Sequence, residues 1–236
     1  MTKVQENYAI SNKLENLIPI VNPKLRGKSG IEAALLYRID ESCKEVDSSE
    51  LVREAYKIYY GTSIPSSSDT ILNAFIPFMD FCRAKLFVKE KRVPKGREEQ
   101  YRLVYENLDE IFNDYIELKN LFDKYFNLMY SFSNFMPVPP NFNGSKYRLG
   151  KGTAKLNKDY PYEYMNNLKD PDSGIYEREK MYKWLTENMD SFKIKEMYDL
   201  KPPYPIKEYY GYNDCKLDLL TEFLKKAIDC IEKRFI

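Results

Sequence analysis

One stripe of side chains limits the folds open to this chain more than any other feature. Tyr101, Val104, Leu108, Ile111, Tyr115, Leu118, Phe122, Tyr125 and Met129 recur at three- and four-residue spacing. An apolar stripe of that period, sustained over about four heptads, is the signature of a helix with one buried side. It predicts a long central helix from about Glu98 to Tyr130. Tyr105, Phe112 and Phe126 widen the apolar face beyond a two-position seam, which favours the spine of a bundle over a coiled coil.

The flanking sequence predicts more helices. A first amphipathic helix is expected over 4–18, ending before Pro19, and a second over 29–43 with Ile31, Leu35, Leu36 and Ile39 on one side. Asp47 reads as an N-cap, with Glu50 as its reciprocal partner, for a helix that stops at Gly61. Ser66-Ser67-Ser68-Asp69 reads as the start of another, apolar all round and kinked at Pro77. Helical pattern returns at Tyr162–Leu168, Ile175–Met189 and Asp214–Phe235.

Residues 131–172 change character. Pro137-Val138-Pro139-Pro140 excludes helix and Asn143-Gly144 signals a turn. The fold expected is mainly α: an irregular bundle of about six to nine helices around the long central one, with at most a minor β element. One domain spanning 1–236 is expected, with a helical core at 1–132, an irregular region at 133–172 and C-terminal helices at 173–236.

Composition removes whole classes of chemistry. The 236 residues include no histidine, which excludes Ser-His-Asp and Cys-His catalysis and histidine-ligated zinc. Four dispersed cysteines without Cys-x-x-Cys pairing read as reduced thiols and give no all-cysteine metal site. Neither an apolar N-terminal leader nor a membrane-length apolar run is present, so a cytoplasmic location is expected and a membrane is not an expected partner. No catalytic residue, metal ligand or cofactor is assigned. The 37 basic and 36 acidic residues nearly cancel, so any pull on nucleic acid has to be local.

Two local basic stretches exist. Residues 83–97 hold seven basic side chains against one acid, and 146–158 hold Lys146, Arg148, Lys151, Lys155 and Lys158 with none. Lys89, Lys91, Arg92, Lys95, Arg97, Lys146, Arg148 and Lys151 are therefore the candidate nucleic-acid contacts, through salt-sensitive phosphate pairing. The bland alternative is a solvated loop at a helix end. Arg26-Gly27-Lys28-Ser29 has the outline of a phosphate-cradling loop, but Asn22 stands where that pattern needs a glycine.

Tyr204, Tyr209, Tyr210 and Tyr212 cluster around Pro202, Pro203 and Pro205, a composition suited to a rigid amphipathic contact surface. With Phe135 and Phe142 of the proline-rich loop, these are the candidate protein-binding residues. The bland alternative is that the tyrosines cover core.

Two segments resemble known sequences. Ser68-Asp69-Thr70-Ile71-Leu72-Asn73-Ala74-Phe75 and Ser133-Asn134-Phe135-Met136-Pro137-Val138-Pro139-Pro140-Asn141-Phe142-Asn143 are similar to a group of uncharacterised bacterial proteins. That resemblance implies origin and carries no activity. Asn134-Phe135-Met136 with Phe142-Asn143-Gly144-Ser145-Lys146 also distantly resembles a stretch of HNH-type nuclease domains, whose histidine base and metal ligand this chain lacks. Composition rich in Tyr and Lys fits an AT-rich bacterial or phage genome. The function expected is a non-catalytic interaction protein of bacterial or phage origin with an unidentified protein partner, host–phage conflict being a setting that fits such an origin, the alternative being nucleic-acid binding through the two basic stretches. An enzyme with a carboxylate-only metal site is the third class.

Overall fold

The computed structural model describes residues 12–65, 67–86, 94, 96–147, 160–203 and 217–235. In chain order the helices are α1 (Ile18–Val21), α2 (Gly30–Ile39), α3 (Glu50–Tyr60), α4 (Phe75–Leu86), α5 (Arg97–Glu106), α6 (Leu108–Phe112) and α7 (Ile116–Met129). They continue as α8 (Phe142–Tyr147), α9 (Pro161–Lys169), α10 (Arg178–Asn188), α11 (Lys195–Asp199) and α12 (Leu217–Lys233). Two strands, β1 (Ser67–Thr70) and β2 (Phe135–Val138), form the one sheet among the described residues. The fold is an irregular helical bundle with a minor β element.

The stripe at 101–129 belongs to three helices. Asn107 ends α5, turning its amide back to donate to the Leu103 carbonyl at 2.8 Å, and Asn113-Asp114-Tyr115 separates α6 from α7. Asn and Asp compete with the backbone for hydrogen bonds, so each site opens the chain without removing the apolar face. The fragments then wrap one aromatic cluster. Phe78 of α4 meets Phe112, Phe122 and Phe126 with ring centroids 6.3, 5.1 and 5.1 Å away.

Other starts differ for physical reasons. Ser67–Thr70 is a strand, antiparallel to β2 with Ser68 opposite Pro137. The Ser68 hydroxyl ties it to both neighbours, lying 2.6 Å from the Tyr56 hydroxyl of α3 and donating to the Met136 carbonyl of β2 at 3.4 Å. Helix α4 starts only at Phe75, whose N–H donates to Asn73 Oδ1 at 3.0 Å. Pro77 thus falls in the first turn, where its missing N–H breaks no helical bond and causes no kink. Ser49, not Asp47, caps α3 by accepting from the Val52 N–H. Of the first expected helix, residues 4–11 lie outside the described residues, and Pro19 lies in the first turn of α1 instead of following a helix.

Segments 68–75 and 133–143 meet in the core. Asn134 donates to the Leu72 and Met129 carbonyls at 2.7 and 3.0 Å and accepts from the Leu72 N–H at 3.0 Å. Every hydrogen-bonding group of that buried amide is satisfied. Arg234 completes the junction from the end of α12. Its guanidinium donates to the carbonyls of Phe192, Ser133 and Phe135 at 2.9, 2.9 and 2.6 Å and to the Tyr60 hydroxyl at 3.2 Å. Only 3% of Arg234 is exposed, and no acid pairs with it among the described residues. Backbone carbonyls hold its charge instead, while burial pulls its pKa below the ordinary arginine value.

Buried side chains from Leu17 to Ile231 form one contiguous cluster. No helix among the described residues is long and apolar enough to cross a membrane.

Candidate functional site

The residues singled out by sequence separate sharply in the structure. Phe135 and Phe142 are 0% and 1% exposed, so neither offers a face to a partner. Phe135 lies in β2 over the Arg234 junction, and Phe142 packs edge-on against Tyr164 and Trp184 at 5.3 and 5.9 Å. Phe135 to Pro139 are buried while Pro140 and Asn141 are exposed, because β2 and α8 turn their apolar side chains inward. Tyr204, Tyr209, Tyr210 and Tyr212 lie outside the described residues, as do Lys89, Lys91, Arg92, Lys95, Arg148 and Lys151. Lys146 sits in the last turn of α8.

The basic stretch at 83–97 is partly spent on the fold. Arg83 donates through Nε and Nη2 to Gln100 Oε1 at 3.0 and 2.7 Å and through Nη1 to Asp80 at 3.1 Å. Lys85 donates to the Tyr115 hydroxyl and lies over its ring, 4.1 Å from the centroid. Arg97, the first residue of α5, is exposed.

Arg26-Gly27-Lys28-Ser29 is a helix start. Ser29 caps α2 in a reciprocal box with Glu32. Lys28 Nζ reaches the Tyr105 hydroxyl at 3.3 Å. Gly30 is required by packing: a Cβ there would lie 2.3 Å from the Asp123 carbonyl oxygen. With its serine and lysine engaged, this loop leaves no phosphate cradle.

A different site emerges where α9, α11 and α12 converge. The α12 sequence buries Leu220, Phe223, Leu224, Ala227, Ile228 and Ile231 on one face. That face fixes Glu222, Lys226 and Asp229 along the border of a cleft. Across it, α11 places Glu196 and Asp199 three residues apart, on the same side of the helix. Pro202-Pro203 then ends the helical path, and Tyr162 and Glu163 of α9 close the third wall.

The cleft encloses about 790 Å³. Its floor is apolar, with Leu200, Pro203 and Phe223 buried, and Tyr160 packs edge-on against Phe223 at 5.4 Å. Leu219 stands on the rim, 42% exposed.

Its electrostatics are uneven. Lys226 pairs with Glu222 at 2.6 Å and Lys233 with Asp229 at 2.7 Å. Glu163, Glu196 and Asp199 have no ion-pair partner among the described residues. Glu163 is half-buried, and loss of solvent pushes its carboxyl pKa up. Cys230 lines the same cleft; burial first, then Glu196 and Asp229, push its thiol pKa up, which disfavours the thiolate. Among the described residues no three acidic or cysteine side chains gather closely enough to hold a metal ion.

Sequence reading missed this site because its acids look like solvated helix faces one at a time. The five-residue α11 has too short a period to be recognised, and only the Lys201-Pro202-Pro203 break marked the neighbourhood.

Comparison with protein-family models, with curated proteins and with solved structures returned no match.

Proposed function

We propose that this chain is a non-catalytic, cytoplasmic interaction protein that docks a partner protein in the α9–α11–α12 cleft. One observation carries the reading: a cleft with an apolar floor, a half-exposed leucine on its rim, and three carboxylates unpaired among the described residues. Exposed apolar surface bordered by charge is the usual anatomy of a contact site, with a desolvated centre and a polar rim. Chemistry finds less support there. The chain has no histidine, burial disfavours the Cys230 thiolate, and the cleft acids do not converge on a metal position.

The nucleic-acid alternative loses two of its cations to internal contacts, Arg83 and Lys85. It keeps Arg97 and the basic residues beyond those described.

Affinity capture with the tagged chain from its source cells, with and without nuclease, tests the reading. A discrete protein that survives nuclease is expected. Leu219→Asp should cut its recovery at least about fivefold, since a buried contact leucine is worth on the order of 1 kcal/mol or more. Ile58→Asp, at a position 63% exposed on α3, should leave recovery unchanged. Equal capture by wild type and Leu219→Asp would overturn the cleft as the docking surface. Loss of every partner after nuclease would overturn protein docking and move the function to the basic stretches.

A further inference from the structure

We propose that the segment bound in the cleft is rich in lysine or arginine and carries one large apolar side chain, which sits between Leu219 and the Leu200–Phe223 floor. This rests on the reading of the cleft as a docking surface and names the chemistry of what docks.

Charge complementarity identifies the occupant. Glu163, Glu196, Asp199, Glu222 and Asp229 border the cleft, against Lys201 and Lys226. Lys226 is already neutralised by Glu222, and Asp229 is paired with Lys233 outside the lining. What faces an incoming ligand is Glu163, Glu196 and Asp199 opposed by Lys201, a net excess of acid among the described residues.

Position distinguishes them from an ordinary solvated face. Glu196 and Asp199 lie at i and i+3 on α11, so both carboxylates lean over one opening. Glu163 projects from the opposite wall and is half-buried, a costly place for an unpaired carboxylate. A cation entering the cleft relieves that cost and is attracted from both walls at once. An acidic segment meets repulsion from the same groups, which gives the cleft selectivity as well as affinity.

The apolar component follows from the floor. Leu200, Pro203 and Phe223 lie beneath the acids, and Leu219 is exposed beside them. A small hydrated cation would leave that surface wet. A peptide that alternates basic and apolar side chains covers both parts.

The test uses the full chain with a benzophenone amino acid at Leu219, irradiated in its source cells, and the adduct sequenced by mass spectrometry. A partner segment with net positive charge and an aromatic or large aliphatic residue is expected. That segment, made as a peptide, should bind the wild-type chain with an affinity that falls with salt. It should bind the double variant Glu196→Lys/Asp199→Lys about tenfold more weakly, the sum of two reversed surface charges. The double variant Glu99→Lys/Glu106→Lys, at two exposed positions on α5, serves as the charge-matched control and should change affinity less than twofold. Glu196 and Asp199 are exposed, so thermal melting should confirm that their double variant still folds.

Three results would overturn the inference while leaving a protein partner in place. They are a neutral or acidic cross-linked segment, an adduct formed only within this chain's own residues 204–216, and an unchanged affinity in Glu196→Lys/Asp199→Lys. Absence of any captured partner would overturn the docking reading itself.

Discussion

The junction around Asn134 and Arg234 and the cleft between α9, α11 and α12 treat charge in opposite ways. At the junction, one buried amide and one buried guanidinium are held by seven hydrogen bonds, five to backbone carbonyls, one from a backbone N–H and one to the Tyr60 hydroxyl. Four of the five guanidinium N–H groups and both amide N–H groups are engaged there. In the cleft, three carboxylates have no cation among the described residues and stand over apolar surface that stays open. Buried polar groups that are satisfied specify a fold, and polar groups held ready without partners are what a binding site requires.

The largest expected effect comes from breaking the first region. Arg234→Met leaves three carbonyls and the Tyr60 hydroxyl without their donor, and should cost on the order of 3–5 kcal/mol in denaturant unfolding. Arg234→Lys keeps the charge but cannot span those acceptors, and should recover less than half of the loss. Asn134→Leu unties β2 from the 71–72 turn at an expected cost of about 2–3 kcal/mol, read in the same assay. Gly30→Ala should cost about 1–3 kcal/mol, because α2 has to move away from the Asp123 carbonyl. In the cleft, by contrast, Glu196→Gln and Asp199→Asn should shift stability by no more than about 0.5 kcal/mol. A large loss there would make the cleft acids part of the scaffold and erase the contrast.

Acidity provides a subtler comparison. Burial raises Asp47 and Asp80 from the ordinary aspartate value to about 6, the neighbouring Asp69 adding to the shift at Asp47 and Arg83 opposing it at Asp80. A carboxyl whose folded pKa exceeds its unfolded one binds more protons when folded. Its contribution is therefore full below the unfolded value and is lost as pH rises through the folded one. Stability should decline between about pH 4 and pH 6 from these two groups. Asp47→Asn should flatten that decline, as seen in thermal melts across the window. A steeper decline in the variant would contradict the burial of this carboxyl.

Much of the fold could be read from the sequence, and the site could not. Periodicity located α7, α9, α10 and α12 because each buries one face of a regular stripe. It merged α5, α6 and α7 because an apolar stripe runs on across Asn107 and Asn113-Asp114, where only the backbone breaks. It turned Ser67–Thr70 into a helix start because serine and aspartate suit a cap and an edge strand alike. The β2 partner that decides between them lies more than sixty residues away. The cleft depends on three helices whose acids are distant in sequence and individually unremarkable. Phe135 and Phe142 misled for a related reason: proline-rich surroundings signal a loop, but they do not say which side of it is covered.

Hydrogen exchange of the full chain, free and with its captured protein partner bound, tests the central claim most directly. Slowed exchange confined to α9, α11 and the cleft side of α12 is the predicted result. Slowed exchange at α2–α5, with those three helices unchanged, would contradict it.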